Sequence, residues 1–214
     1  MPLDGKGVAH RVLQECFVRC VLSRDMQLLD RFLACSVDVN GAWNDYTALS
    51  VVAGFGDAAF VRGLVKRGAD VNVAGREGAT PLIVSAKVGT EWTDPEIRRH
   101  SLAVAKTLLS AGAEINGRDM YKRTALDYAF RASWEQMARL LLSRGASIRA
   151  CDNRGSFVLF HAVSQPGSTK LLQLYLKHGG SPTVHVGSET TALEHARRAG
   201  WIDKVKLLEK VIRR

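Results

Sequence analysis

Two short phrases recur in this chain at a nearly constant spacing, and this repetition constrains the fold more than any other feature of the sequence. The first phrase reads Gly-Ala-Asp-Val-Asn at residues 68–72, with variants at 112–116, 145–149 and 179–183. The second phrase reads Thr-Pro-Leu-Ile at residues 80–83, with variants that begin at residues 47, 124, 157 and 191. The starts of the second phrase lie 33 or 34 residues apart, except that 44 residues separate 80 from 124, so this interval contains an insertion of 11 residues.

The two phrases resemble the signature of the ankyrin-repeat family, a 33-residue unit that carries Thr-Pro-Leu-His and Gly-Ala-Asp-Val-Asn. The resemblance covers about residues 8–212, as five recognisable units behind a divergent first unit. It implies an all-α fold, an ankyrin-repeat solenoid of stacked helix-turn-helix units joined by β-hairpin-like loops, in one domain. We expect the units at about residues 8–40 (a cap), 41–72, 73–116 (with an insertion at 90–102), 117–149, 150–183 and 184–214.

The residue types at the two phrases have a physical reason. Each Thr can accept hydrogen bonds from the free N–H groups at the start of a helix, and Pro81 has the φ that a first helical turn requires. The glycines at 68, 112, 145 and 179 can adopt the left-handed conformation that ends a second helix. One such helix pair cannot bury its own apolar side, so stacking of neighbouring units supplies the core.

The insertion at residues 90–102 predicts a second helix that begins about two turns early. Thr93 and Glu96 have the spacing of a capping box, and Asp94-Pro95 is another helix-start signal, so we expect a helix from near Asp94 to Ser110. This helix should project beyond its neighbours at the edge opposite the hairpin tips. It could serve binding, or it could be a tolerated elongation with Trp92 folded back on the helix.

The cysteines and the N-terminus indicate a reducing intracellular compartment. Cys16, Cys20, Cys35 and Cys151 form no CxxC pair, so we interpret them as buried reduced thiols rather than zinc ligands or disulfides. No secretory signal and no apolar run of about 18 residues is visible in the sequence. We therefore expect a cytoplasmic protein, with a nuclear location or delivery into a host cell left open.

No constellation of residues in the sequence points to catalysis. The six histidines are scattered, and the sequence contains no HExxH, no GxSxG and no phosphate-binding GxxxxGK[ST] motif. Catalytic groups must converge in a pocket, whereas a solenoid offers an open surface. We therefore expect a protein that is not an enzyme and that uses no cofactor or metal.

The family resemblance implies that partners contact the hairpin tips and the exposed side of the first helices. The candidate partner-binding residues at these positions are Trp43, Asn44, Tyr46, Phe55, Arg76, Lys87, Met120, Tyr121, Arg123, Arg131 and Arg154. Tyr, Trp, Met and Arg are enriched at the centres of protein interfaces. Trp43 and Tyr46 could instead pack between adjacent hairpins.

The net charge of +9 suggests a partner with acidic as well as apolar groups. We expect a monomeric protein–protein interaction module, such as an adaptor, scaffold or regulator, that binds an acidic and apolar protein segment on a concave hairpin and inner-helix surface. Two alternatives stay open. The chain could bind nucleic acid through its arginines and aromatic residues, or it could be an inhibitor or immunity protein for one specific enzyme.

Asn72 and Asn116 each follow a leucine, Leu64 and Leu108, by eight residues. This spacing resembles that of ankyrin asparagines that an oxygen-dependent dioxygenase hydroxylates. The alternative is structural, with each asparagine bonded to the backbone so that it fixes the hairpin.

Overall fold

The computed structural model describes residues 12–17, 20–35, 37–91, 94–149, 158–164, 169–183 and 190–213. Within them the helices follow one another in pairs, each pair joined by a short turn. The bounds are α1 (residues 12–17 described), α2 (Met26–Ala34), α3 (Ala48–Phe55), α4 (Ala58–Lys66), α5 (Pro81–Glu91), α6 (Pro95–Ser110), α7 (Ala125–Arg131), α8 (Glu135–Ser143), α9 (Val158–Ser164), α10 (Lys170–Lys177), α11 (Ala192–Arg198) and α12 (Ile202–Ile212). Two 3-10 turns lie at Val21–Ser23 and Arg76–Gly78. Strands β1 (Ala42–Trp43) and β2 (Tyr46–Thr47) form an antiparallel hairpin.

The helices stack as two rows. The first helices α3, α5, α7, α9 and α11 contact one another in that order, and so do the second helices α4, α6, α8 and α10. Fully buried leucines at 64, 108 and 141 lie on the second helices, while fully buried alanines at 53, 86 and 129 lie on the first. The small alanines let neighbouring first helices approach closely, and the leucines fill the space between the rows. The expected all-α solenoid is confirmed.

The threonines of the second phrase cap the first helices as predicted. Thr47, Thr124 and Thr191 each form a capping box, in which the threonine side chain and the third helical residue exchange hydrogen bonds with each other's backbone. Thr80 accepts a longer bond, 3.4 Å, from the backbone N–H of Ile83. The glycines at 68, 112, 145 and 179 have φ between 81° and 91°, which confirms the left-handed helix ends.

The asparagines of the first phrase connect each unit to the next. The side chain of Asn40 donates to the carbonyl oxygen of Gly68 (3.3 Å) and accepts from the N–H of Asp70 (2.8 Å). Asn72 bonds in the same way to Gly112 (3.4 Å) and Glu114 (2.8 Å) one unit later. These contacts support the structural interpretation of the asparagine.

This ladder of asparagines predicts a stability effect at Asn72. Asn72→Ala should lower the free energy of unfolding by about 1 kcal/mol, because two hydrogen bonds between units are lost at a partly exposed site. Arg149 occupies the corresponding position two units later and is exposed, so Arg149→Ala is the matched control and should change stability by less than about 0.5 kcal/mol. Urea unfolding measures both variants, and equal losses would contradict a role specific to the asparagine.

The insertion lengthens both helices of its unit. Helix α6 begins at Pro95 with Asp94 as its cap and ends at Ser110, as predicted, and it has 16 residues against nine in α4. Helix α5 is also longer, with 11 residues against eight in α3, a difference not predicted from the sequence. The predicted cap Thr93 and Trp92 lie outside the described residues.

The added turns of α6 pack against both neighbouring units. The Arg98 guanidinium donates to the carbonyl oxygen of Ala132 (3.0 Å), at the end of α7, and lies 5.6 Å from the centre of the Trp134 ring. On the other side, a Cβ at Gly56 would lie only 2.9 Å from the Cβ of His100. Part of the insertion therefore has a packing role between the turns that precede α4 and α8.

The thiols differ from the expectation that all are buried. Cys20 is buried, and burial raises its pKa from about 9.0 to about 11. Cys16 and Cys35 are exposed, so the prediction is wrong for these two residues: Cys16 shares a helix with the buried Phe17 but points away from the core. Cys151 lies outside the described residues. Among the helices of the described chain, none combines the length and the apolar character needed to cross a membrane.

Candidate partner-binding surface

The connections between units touch one another and form a continuous row. We define the hairpin row as residues 42–47, 75–79 and 119–123. The backbone N–H of Met120 donates to the carbonyl oxygen of Glu77 (2.8 Å), which joins the second and third connections. A Cβ at Gly75 would lie 2.9 Å from the carbonyl oxygen of Asp45, so the first and second connections are in direct backbone contact. The hairpin row is therefore fixed by the backbone itself.

An arginine–tyrosine pair bridges the first two connections. Arg76 donates to the phenol oxygen of Tyr46 (3.0 Å), and its guanidinium lies 5.9 Å from the centre of that ring. The Tyr46 side chain is 38% exposed. Since an arginine carries five N–H donors, most of the donors of Arg76 remain available to a ligand.

A second arginine packs on aromatic rings in the third connection. The Arg123 guanidinium lies 4.9 Å from the ring centre of Tyr121 and 5.9 Å from that of Tyr128. Tyr121 is 37% exposed, and the neighbouring Met120 is 59% exposed. This connection therefore presents a cation and two large apolar side chains side by side.

Asp119 holds this third connection in place from beneath. One carboxylate oxygen accepts from the N–H groups of Tyr121 and Arg123 (2.9 Å each), and the other accepts from the phenol of Tyr128 (2.7 Å). Burial and the nearby carboxylate raise the pKa of Tyr128 to about 12, so its phenol stays protonated and donates. Asp119 is not among the residues predicted from the sequence. A detectable signal was that Asp152 recurs at the same place, five residues before the next unit's second phrase.

Lys87 reaches the hairpin row from α5 but forms an ion pair there. Its ammonium lies 3.1 Å from the carboxylate of Glu77, and both side chains are about one-third exposed. The positive charge expected from Lys87 is thus largely compensated within the row. Position in the sequence could not reveal this pairing, because it depends on the left-handed conformation of Glu77 (φ 59°).

The structure brings most, but not all, of the predicted residues together. Trp43 is half-buried and packs against the core, whereas Asn44 beside it is exposed. Phe55 and Arg131 are the last residues of α3 and α7, while the hairpin row adjoins the first residues of these helices. They therefore lie about 10 Å from the row along the helix axes, and one continuous strip of all the predicted residues is not formed. Arg154 lies outside the described residues.

Phe55 belongs to a different surface feature. It is 58% exposed and borders a cavity of about 330 Å³ between the 3-10 turn Val21–Ser23 and α4. Val52 and Phe60 form its apolar wall, and Arg24 lies near Asp57 at its rim (3.8 Å). The cavity is separate from the hairpin row.

The histidines at 161 and 195 pack among aromatic side chains. His195 is partly buried between Phe160 (ring centres 6.0 Å apart) and Trp201 (5.5 Å), and His161 lies 5.4 Å from Phe160. Within the described ranges, no group of three or more His, Cys, Asp or Glu side chains could hold a metal ion.

Comparisons with known proteins agree with the repeat architecture. Residues 121–153 match the sequence profile of the ankyrin repeat. The chain is 24% identical over 192 residues to the ankyrin repeat and KH domain-containing protein mask-1 of Caenorhabditis elegans, a match that covers 80% of this chain and 7% of that protein. It is 30% identical over 149 residues to the B-cell lymphoma 3 protein homolog of Mus musculus, covering 69% of this chain and 32% of that protein. It spans at most about a third of the length of these relatives.

The fold is similar to a solved structure. The crystal structure of an ankyrin repeat domain from Acinetobacter baumannii superposes with a TM-score of 0.77 and 23% sequence identity. The match covers 90% of this chain and 95% of that one. At this identity the likeness concerns the fold alone.

Proposed function

This chain belongs to the ankyrin-repeat family, and from that premise we propose that it is a non-catalytic adaptor, scaffold or regulator that binds a protein segment along its hairpin row. Ankyrin-repeat proteins generally mediate protein–protein interactions and are generally non-catalytic. The proposal for this chain goes further, because it assigns the surface and the chemistry of the partner.

The observation that carries the proposal is the pair of arginine–tyrosine contacts on neighbouring connections. Arg76 with Tyr46 and Arg123 with Tyr121 place two guanidinium groups and two exposed rings on neighbouring loops whose backbones are in contact. Ordering such side chains in advance lowers the entropy lost on binding. Folding by itself gives no reason to expose Met120 and Tyr121 beside each other.

The partner that fits this row has carboxylates next to apolar side chains. Arginine binds a carboxylate with two parallel hydrogen bonds, while Tyr46, Met120 and Tyr121 offer apolar area for an anchor residue. Arg123 and Arg76 are the cations assigned to this contact, because the ion pair with Glu77 compensates Lys87.

Substitution of the exposed apolar residues tests the proposed surface. The triple variant Tyr46→Ala, Met120→Ala and Tyr121→Ala should lower the affinity for the partner at least about 100-fold, because aromatic residues at an interface contribute a large share of the binding energy. The thermal midpoint should stay within about 3 °C, since each side chain is more than one-third exposed. The measurement is affinity capture from an extract of the native source, followed by calorimetry with the purified partner.

A matched control removes apolar area elsewhere. Ile202→Ala with Ile212→Ala truncates two exposed side chains of α12, far from the hairpin row, and should leave the affinity unchanged. If the triple variant binds the partner with the affinity of the wild type, the hairpin row is not the binding surface. A partner that ribonuclease or deoxyribonuclease removes would favour the nucleic-acid alternative instead.

A further inference from the structure

A groove between the second helices α4 and α6 is lined by cations. Arg62 and Lys66 come from α4, and Lys106 comes from α6, with the hydroxyls of Thr107 and Ser110 beside it. Its volume is about 400 Å³, and Val65 contributes apolar surface. The groove lies on the row of second helices, whereas the hairpin row adjoins the first helices.

The three cations are not compensated by the protein. Arg62, Lys66 and Lys106 are exposed, and none forms an ion pair or donates a side-chain hydrogen bond within the described part of the chain. Other surface cations differ: Arg67 binds Asp30 through two hydrogen bonds, and Arg139 binds Glu135. The charge in the groove is therefore available to a ligand.

The second helices carry most of the positive charge of the helices. Helices α4, α6, α8, α10 and α12 contain eleven Lys and Arg against four Asp and Glu. The first helices α3, α5, α7, α9 and α11 contain four Lys and Arg against three Asp and Glu. An acidic ligand is thus attracted to the side of the molecule on which the groove lies.

A cation recurs at one position of three consecutive second helices. Arg62, Lys106 and Arg139 each stand six residues before the glycine that ends their helix turn, and of these Arg62 and Lys106 form no ion pair in the described part of the chain. Packed helices lie about 8–10 Å apart. An extended chain in the polyproline II conformation has three residues per turn and advances about 3.1 Å per residue, so carboxylates at every third residue lie on one face at about this spacing. On the N-terminal side of α4, the neighbouring helix α2 has Asp30 at the position that corresponds to Arg62, the fifth residue of each helix. The row of cations therefore ends at α4.

We propose that this groove is a second binding surface, which takes an extended acidic segment of a partner protein. Its lining contains no aromatic ring on which a nucleic-acid base could stack, although single-strand sites combine cations with such rings. The described parts of α4 and α6 expose no large apolar side chain that could insert into a membrane. An acidic peptide needs neither feature. The protein could then hold two partners at once, one at each surface.

Fluorescence anisotropy with synthetic peptides tests the groove. The probe is a labelled 13-residue peptide with Glu at every third position in a Gly/Ser background, and its controls carry Gln instead of Glu or have the same glutamates clustered at one end. The wild type should bind the spaced Glu peptide most tightly, with an affinity that falls as salt rises. The variant Arg62→Ala, Lys66→Ala and Lys106→Ala should bind it about tenfold more weakly, since each exposed ion pair contributes modestly.

A second triple variant controls for net charge. Arg31→Ala, Lys206→Ala and Lys210→Ala removes three exposed cations away from the groove and should change the affinity by less than about twofold. The hairpin variant described above should also bind the Glu peptide normally, which separates this proposal from the proposed function. Equal losses in both charge variants, or no saturable binding of the Glu peptide, would overturn the proposal. Tighter groove-dependent binding of oligo-dT or of phosphatidylserine vesicles would overturn the assignment to an acidic peptide.

Discussion

Asp119→Ala is expected to lower the free energy of unfolding by about 3 kcal/mol. The carboxylate of Asp119 is 6% exposed and accepts from two backbone N–H groups and from the buried phenol of Tyr128. Alanine leaves the phenol without this acceptor inside the protein and frees the backbone of the third connection, and a buried donor left unsatisfied costs about 1–3 kcal/mol. Because Tyr121 and Arg123 are positioned by the same bonds, partner binding at the hairpin row should weaken as well.

Two variants separate the contributions to this loss. Asp119→Asn keeps an acceptor for the backbone and should lose about half as much stability, whereas Tyr128→Phe removes the phenol and leaves the backbone bonds intact. Urea unfolding monitored by circular dichroism gives the free energies, and calorimetry gives the affinity for the partner. If Asp119→Ala unfolds at the same urea concentration as the wild type, the carboxylate does not hold the connection.

Lys204→Ala is expected to cost a similar amount, about 3 kcal/mol, in the last two units. Lys204 is 1% exposed, and its ammonium donates to the carbonyl oxygens of Ala162 (3.2 Å) and Val163 (2.9 Å) near the end of α9. It also lies 4.7 Å from the centre of the Trp201 ring. Alanine removes these contacts and leaves a cavity between the units. Lys204→Met keeps the packing of the side-chain stem and should lose only about 1 kcal/mol.

The same residue gives the stability a distinct dependence on pH. Burial lowers the pKa of Lys204, so the unfolded chain binds its proton more strongly than the folded chain does. Between the lowered pKa and the ordinary value of about 10.4, stability should therefore rise with pH, and the Lys204→Met variant should lack this rise. Chemical unfolding at a series of pH values, followed by circular dichroism, measures this dependence. Lys206→Met, at an exposed position of the same helix, should keep the pH dependence of the wild type.

The repeated phrases predicted the fold because their chemistry is local. A threonine caps the helix that follows it, and a left-handed glycine ends the one that precedes it, so each effect acts within about four residues of chain. The bounds of α6 could be predicted for the same reason, from Asp94 and Pro95. The added turn of α5 has no such signal, and its length became visible only in the structure.

The candidate surface was less predictable from the sequence. Tyr46, Arg76, Met120, Tyr121 and Arg123 do lie together in the hairpin row, because the repeat spacing places equivalent loops side by side. Phe55 and Arg131 were grouped with the row because they lie on first helices, but they end those helices, whereas the row adjoins the first helical residues. The position of Trp43 in its repeat did not reveal that this side chain packs against the core.

The sequence by itself therefore determined that the chain repeats and which threonines cap its first helices. The tertiary structure decided which charges are compensated, as for Lys87 with Glu77, and which are left free, as for Arg62, Lys66 and Lys106. It also decided that Asp119 supports the hairpin row and that the added turns of α6 pack on their neighbours. The physical reason is range: helix caps depend on neighbours within about four residues of chain. Charge pairing and burial depend on side chains farther apart in the chain, ten residues for Lys87 with Glu77 and 34 for Arg98 with Ala132.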